Sequence, residues 1–246
     1  MKIYARTAML TMLILFVGAC KNEEPKKEEV KAAVNSTVPG LVTSAEELKA
    51  LSPDTILQRL KNGNKRFTEN NVTARDHSKR VMATASAQYP KSVVLSCLDS
   101  RIPVEDVFDK GIGDMFVARN AGNIINDDVL GSMEFACKIS GAKLIVVMGH
   151  SGCGAIKAAI DDVKMGNMTA MLGKIKPAVR MSKDYQGEKS SKNTEYTNEV
   201  GRKNVLHSIE LVKKKSPILR KMLESNQIKI VGAYYEIKTG KVSFLE

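Results

Sequence analysis

The sequence predicts an α/β fold: a central, mostly parallel β-sheet of about four parallel strands plus an antiparallel edge strand, flanked by helices and preceded by an amino-terminal helical arm. Three observations predict it. Short apolar, largely β-branched runs recur at 92–96 (SVVLS), 114–119 (DMFVAR) and 143–149 (KLIVVMG), the composition of strands covered on both faces. Each is followed by a small or polar turn and a helical segment, VEDVF, DDVLGSMEFACKIS and GAIKAAIDDV in turn; such alternation builds a parallel sheet with right-handed crossovers. The chain ends IKIVGAYYEIKTGKVSFLE, which reads as a fourth strand, a turn at Thr239-Gly240 and a short edge strand.

The remaining elements follow in chain order. Residues 1–19 carry Lys2 and Arg6, an apolar run from Ala8 to Val17, then Gly18 and Ala19 before Cys20. That run is too short to span a bilayer and reads as an export signal. Its VGAC ending resembles a bacterial lipobox, which implies lipidation of Cys20 and a cell-envelope location, lipid-anchored at the outer membrane and facing periplasm or cell surface. Residues 20–42 are charged, carry Pro25 and Pro39 and lack aromatics, so they read as a flexible tether. Residues 43–246 form the globular domain, a length suited to one substantial core. It opens with a capping box at Ser44 and Glu47 and a second helix capped by Ser52 with Pro53 at its first position. A further helix is predicted over 77–88, and long helices over about 168–182 and 196–215.

The formal charge of +11 raises the question of a polyanionic partner. The basic residues are spread along the chain without interleaved aromatics, which argues against nucleic acid.

The chemistry collects at strand ends, where ligands bind in parallel sheets. Cys97 follows the first strand; His150 and Cys153, in HSGCG, follow the third. Two thiolates and an imidazole form a soft three-ligand set that zinc favours, and three protein ligands leave a fourth position open. Asp99 can either take that position or accept a hydrogen bond from what occupies it, and Arg101 can hold the carboxylate bidentately. Gly152 and Gly154 let the backbone pass close, and the helix that starts near Gly154 favours the Cys153 thiolate. Cys137 has the helical spacing of a buried thiol, and His77 and His207 lie in polar helical contexts. A Cys97–Cys153 disulfide is the competing reading in an oxidising envelope.

The fragments CLDSR, GIGDMFVARNAGN, DDVLGSMEFA, VVMGHSGCGAIKAAI and GAYYEIKTGKVSF, in this order, resemble the β-class carbonic anhydrases from about Leu48 to Leu245. The resemblance implies one zinc ion per chain on Cys97, His150 and Cys153, an Asp99–Arg101 dyad, and a homodimer or dimer of dimers wrapped by its amino-terminal helices. It implies that Gln88 donates to substrate or bicarbonate from across the dimer interface and that Phe116 and Ala121 wall an apolar carbon dioxide pocket beside Gly154. Arg119 matches an arginine that binds inhibitory bicarbonate in some regulated members. Those members have a tryptophan where this chain has Val94, so Asp99 is expected to leave the metal open. Phe135 replaces a tyrosine common near the pocket.

The resulting expectation is reversible hydration of carbon dioxide to bicarbonate and a proton by attack of zinc-bound hydroxide. Hydrolysis of carbonyl sulfide or carbon disulfide on the same site, and a non-catalytic zinc-stabilised envelope lipoprotein, are the alternatives. No histidine is placed as a proton shuttle.

Overall fold

A computed structural model describes residues 42–245. The export signal, Cys20 and the tether up to residue 41 lie outside the described residues. The sheet has five strands: β1 (Ser92–Cys97), β2 (Met115–Asn120), β3 (Leu144–His150), β4 (Lys229–Tyr235) and β5 (Val242–Leu245), in the order β2-β1-β3-β4-β5. The first four are parallel and β5 pairs antiparallel with β4. The expected strands are found within about a residue of their predicted bounds.

β1 and β3 are buried along their whole length because helices cover both faces of the sheet. Alternation along the strands divides the core in two. Val94, Val146, Met148 and Tyr235 face one cluster, with Ile56, Val107, Phe108 and Ile156 from the helices. Val93, Leu95, Ile145 and Val147 face the other, with Met133, Val205 and Leu219. Burying whole strands this way contributes roughly 1.5–3 kcal/mol per large apolar side chain, so both layers are needed to hold the sheet.

The amino-terminal arm comprises α1 (Ala45–Ala50), α2 (Pro53–Thr68) and α3 (His77–Thr84). Ser44 accepts from the Glu47 amide and Ser52 from the Thr55 amide, as predicted. The capping box is only half formed, because the Glu47 carboxylate pairs with Arg59 at 2.8 Å. The first two helices pack on their own chain. The Lys143 ammonium donates to the carbonyls of Lys49 and Leu51 at the end of α1, and Asn64 of α2 bonds Val107, Val242 and Gly240. A side chain at Gly63 would collide with the Phe108 carbonyl, so α2 and the short α4 (Val104–Val107) touch backbone to backbone there.

The remaining helices are α5 (Asp127–Glu134), continued by a π-helical turn at Phe135–Ile139, then α6 (Gly154–Ile160), α7 (Gly166–Gly173), α8 (Lys176–Met181), α9 (Thr194–Lys215) and α10 (Pro217–Glu224). Two predicted helices are corrected. The helix expected over 168–182 is broken into α7 and α8, because Pro177 has no amide for the Gly173 carbonyl and its ring excludes a continuous turn. The helix expected to reach Gln88 stops at Thr84, since the chain must extend toward Pro90 to enter β1.

The opposite, amino-terminal end of the sheet is held by buried charge. The Asp109 carboxylate is fully buried, in a residue with φ +49°. It receives Arg66 Nε and Arg75 Nη1, each at 2.6 Å, together with the Thr73 amide and hydroxyl. Asp114 pairs with Arg80 and Lys91. Burial by itself would raise the Asp109 pKa, but Arg75, Thr73 and Arg66 outweigh it and hold the carboxyl far below the usual range. Asp109→Asn should therefore cost about 3 kcal/mol in urea unfolding at neutral pH, because it leaves two part-buried guanidiniums unpaired. A carboxyl with a depressed folded pKa stabilises above its unfolded value near about 4 and loses that contribution as pH falls. The gap between wild type and variant should accordingly narrow in acid.

Candidate metal centre

β1 and β3 are neighbours, parallel and in register, with Ser96 opposite Met148. Their last residues, Cys97 and His150, therefore emerge at the same sheet edge. After the two-residue turn of Ser151 and Gly152, Cys153 stands at the N-cap of α6, which returns a second sulfur to that edge. The ligand atoms of Cys97, His150 and Cys153 all lie within 4.8 Å of one another, and all three residues are buried.

The sulfurs are 4.0 Å apart and both thiols are free, so the disulfide reading is not realised. Two thiolates bound tetrahedrally at about 2.3 Å from one ion would sit about 3.8 Å apart, close to what is found. His150 Nδ1 is engaged with the Ser151 carbonyl at 3.0 Å, while Nε2 is buried without a hydrogen-bond partner among the described residues. An orphaned ring nitrogen beside two sulfurs is a donor set that fits zinc.

The electrostatics favour anionic sulfur. The two sulfurs lie within hydrogen-bonding distance of each other. The hydrogen bond from Cys153 draws the Cys97 pKa down to about 4 against the opposing effect of burial, with help from His150 and the Gly122 amide. Cys153 is pushed up as the donor of that bond and by its burial, although the Ala155 and Ile156 amides at the start of α6 favour its thiolate. A metal would replace the proton of that hydrogen bond and satisfy both sulfurs. The turn between His150 and Cys153 needs glycine at 152 because φ is +67° there, and its amide is steered by Asn198 Oδ1 at 3.4 Å. At Gly154 φ is not positive and an added Cβ would meet no protein atom within 4 Å.

Asp99 and Arg101 form a two-toothed pair, Nε to Oδ1 at 2.9 Å and Nη2 to Oδ2 at 2.7 Å, and the Arg101 amide adds a third bond at 3.0 Å. Arg101 accordingly lowers the Asp99 pKa to about 2, so the carboxylate stays charged through the neutral range. Asp99 does not belong to the three-residue cluster. Arg119 donates to the carbonyls of Cys97 at 3.1 Å and Asp99 at 2.6 Å, clamping the segment that carries ligand and dyad. Motif spacing did not disclose this use of Arg119.

The single chain divides the expected pocket. Ala121 lies beside the cluster, since the next amide reaches Cys97 Sγ. Phe116 does not: it points to the other face of the sheet, where a hollow of about 660 Å³ is lined by Val93, Phe116, Ala118 and Phe135. The reason is strand alternation, which sends neighbouring Met115 and Val117 to the face that holds Cys97 and Cys153. Gln88 is exposed ahead of β1, roughly 20 Å of strand from Cys97. Phe135 is 54% exposed, and Cys137 is buried as expected. His77 is exposed, while His207 on α9 is half-buried. Sequence reasoning also missed the polar residues of α9: Asn204 donates to the Gly122 carbonyl at 2.8 Å and Ser208 to the Asn123 carbonyl at 3.2 Å, fixing the loop beside Cys97. Their one signal is burial of polar groups on a helix face.

Comparison with known proteins bears on the same residues. The family described as carbonic anhydrase matches residues 92–242, a span that contains the whole cluster and the dyad. The chain is 30% identical over 196 residues to carbonic anhydrase 2 of Mycobacterium tuberculosis, covering 77% of this chain and 91% of that protein. It is 32% identical over 197 residues to the carbonic anhydrase of Mycolicibacterium smegmatis, covering 78% and 92%. Among solved structures, a tetrameric β-carbonic anhydrase of Sordaria macrospora superposes with a TM-score of 0.60 at 26% identity, over 65% of this chain and 83% of that one. Because the match spans the sheet, the ligand-bearing strand ends and nearly the full length of the relatives, the chain belongs to the carbonic anhydrases, of the β class, and is an enzyme of that family.

Proposed function

We propose that the protein catalyses reversible hydration of carbon dioxide to bicarbonate and a proton, with one zinc ion held by Cys97 Sγ, His150 Nε2 and Cys153 Sγ. The observation that carries this reading is the buried cluster with an orphaned imidazole nitrogen, set beside a carboxylate that an arginine keeps charged and outside the ligand set. Zinc in such a site supplies a Lewis acid that makes water nucleophilic near neutral pH. The chain's own residues supply orientation. Asp99 retains lone pairs beyond those used by Arg101, so it can accept a proton-bearing group and aim the nucleophile. Arg119 holds the carbonyls that set the Asp99 position.

The apolar wall and the amide donor are proposed to come from a second copy. In a homodimer or dimer of dimers, Phe116 and Gln88 of the partner subunit would complete the pocket beside Ala121 and Gly154, which matches their separation from the cluster within one chain. The Sordaria macrospora relative is tetrameric. Lipidation of Cys20 would tether this assembly to the envelope, at the outer membrane on its periplasmic or outer side.

Stopped-flow hydration by the full chain tests the reading. Activity should track zinc content at one ion per chain, vanish with a strong chelator and return with zinc; a zinc-loaded protein without hydration would overturn it. Asp99→Ala should keep its zinc yet lose about 10²-fold in kcat. As Asp99 is already ionised well below neutrality, the rise of wild-type activity with pH should show no inflection from this carboxylate above about pH 4. Phe116→Ser should lower activity and shift the assembly toward monomer in sedimentation, while Cys20→Ser should move the protein from the detergent to the aqueous phase in a partition assay.

A further inference from the structure

A second cavity, of about 360 Å³, opens at the amino-terminal end of β1, the opposite end of the strand from Cys97. We infer that this cavity binds a small doubly charged oxyanion of the phosphate kind, with Lys110 as its principal cation.

Six cations line the cavity, Arg59, Arg66, Arg75, Arg80, Lys91 and Lys110, against the four carboxylates of Glu47, Asp76, Asp109 and Asp114. Two positive charges are left in excess. The carboxylates are already committed: Asp109 to Arg66 and Arg75, Asp114 to Arg80 and Lys91, Glu47 to Arg59, and Asp76 to Lys79. Lys110 alone of the lining cations has no carboxylate within salt-bridge distance among the described residues; its Nζ reaches only the Arg59 carbonyl, at 3.4 Å. Ser92, 1% exposed, also lines the cavity, and no described residue bonds its hydroxyl.

A half-buried ammonium without a counter-ion is costly, and it is usually paired. Burial drives the Lys110 pKa down to about 8; the nearby Asp114 and Asp109 carboxylates oppose the fall, and the Lys91 and Arg66 charges add to it. A bound dianion would reverse that unfavourable balance while leaving the Asp109 and Asp114 pairs in place. It would also accept from the Arg59 and Arg66 guanidiniums, of which only Arg59 Nη1 and Arg66 Nε are engaged by carboxylates, whereas Arg75 and Arg80 also donate to backbone carbonyls. The volume exceeds what inorganic phosphate requires, so it also admits a phosphomonoester with a small organic group. The site joins α2, the loop before α3 and the segment after α4, so occupancy should brace the arm against the sheet.

The probes are inorganic phosphate, sulfate and glycerol 2-phosphate, titrated into the full chain in phosphate-free buffer at constant ionic strength with chloride. Calorimetry and the thermal unfolding midpoint are the readouts, and neither depends on hydratase activity. Saturable binding at one site per chain is expected, with an upward shift of the midpoint that chloride does not reproduce. Glycerol 2-phosphate binding more tightly than inorganic phosphate would identify a phosphomonoester as the ligand class, and the reverse a free oxyanion. Lys110→Gln should weaken binding at least about tenfold without lowering the midpoint of the unliganded protein, while Lys110→Arg should restore most of the affinity. Absence of saturable binding in the wild type overturns the inference whatever the variants do. So does undiminished affinity in Lys110→Gln, or bicarbonate binding as tightly as sulfate.

Discussion

Cys97 and His150 can share one ion only because β1 and β3 are adjacent, parallel and in register. In an antiparallel pair the two residues would leave from opposite ends of the sheet. Everything that keeps these strands parallel thus belongs to the site. The crossover helices cover both faces, and the alternating apolar residues of β1 and β3 give each helical layer its own core. Cys153 adds the third ligand without needing a third strand, since a two-residue turn with Gly152 in a left-handed conformation returns the chain to the same edge.

The ligands would be poorly held without the loops around them. Arg119 binds two carbonyls of the segment 97–99, Asn204 and Ser208 reach across from α9 to the loop after β2, and Asn198 steers the Gly152 amide. These bonds are made by polar groups that burial would otherwise penalise, so orienting the site and satisfying the backbone are the same act. The Asp99–Arg101 pair is different in kind. It is largely solvent-facing on the arginine side, and its importance lies in holding a carboxylate charged and directed next to the cluster, with little contribution to stability expected.

The two ends of β1 carry opposite chemistry. At its carboxyl end stands a buried cluster of two sulfurs and an imidazole, and at its amino end a cavity whose cations outnumber its carboxylates. A third feature is the hollow lined by Val93, Phe116, Ala118 and Phe135, beside β2, which is an edge strand of the sheet among the described residues.

The strands, their parallel order, the ligand triad and the dyad were legible in the residue pattern, because strand burial leaves a run of β-branched residues and metal chemistry needs particular side chains at strand ends. Helix ends were less legible: Pro177 and the approach to Pro90 overrode the helical pattern, and Glu47 gave up its capping role to Arg59. What no pattern disclosed were contacts between residues far apart in the chain. Arg119 on Cys97, Asn204 on Gly122, and Arg66 and Arg75 on Asp109 exist because tertiary packing brings unrelated segments together and must then satisfy their polar groups. Whether Phe116 faces its own metal centre was likewise decided by packing: resemblance identifies the residue, but the alternation of a strand in a folded sheet determines which face it serves. The sequence by itself determined which atoms could bind a metal, through chemistry local to each residue; the tertiary structure decided which of them meet and what holds them there, because register and side-chain direction are properties of the assembled sheet.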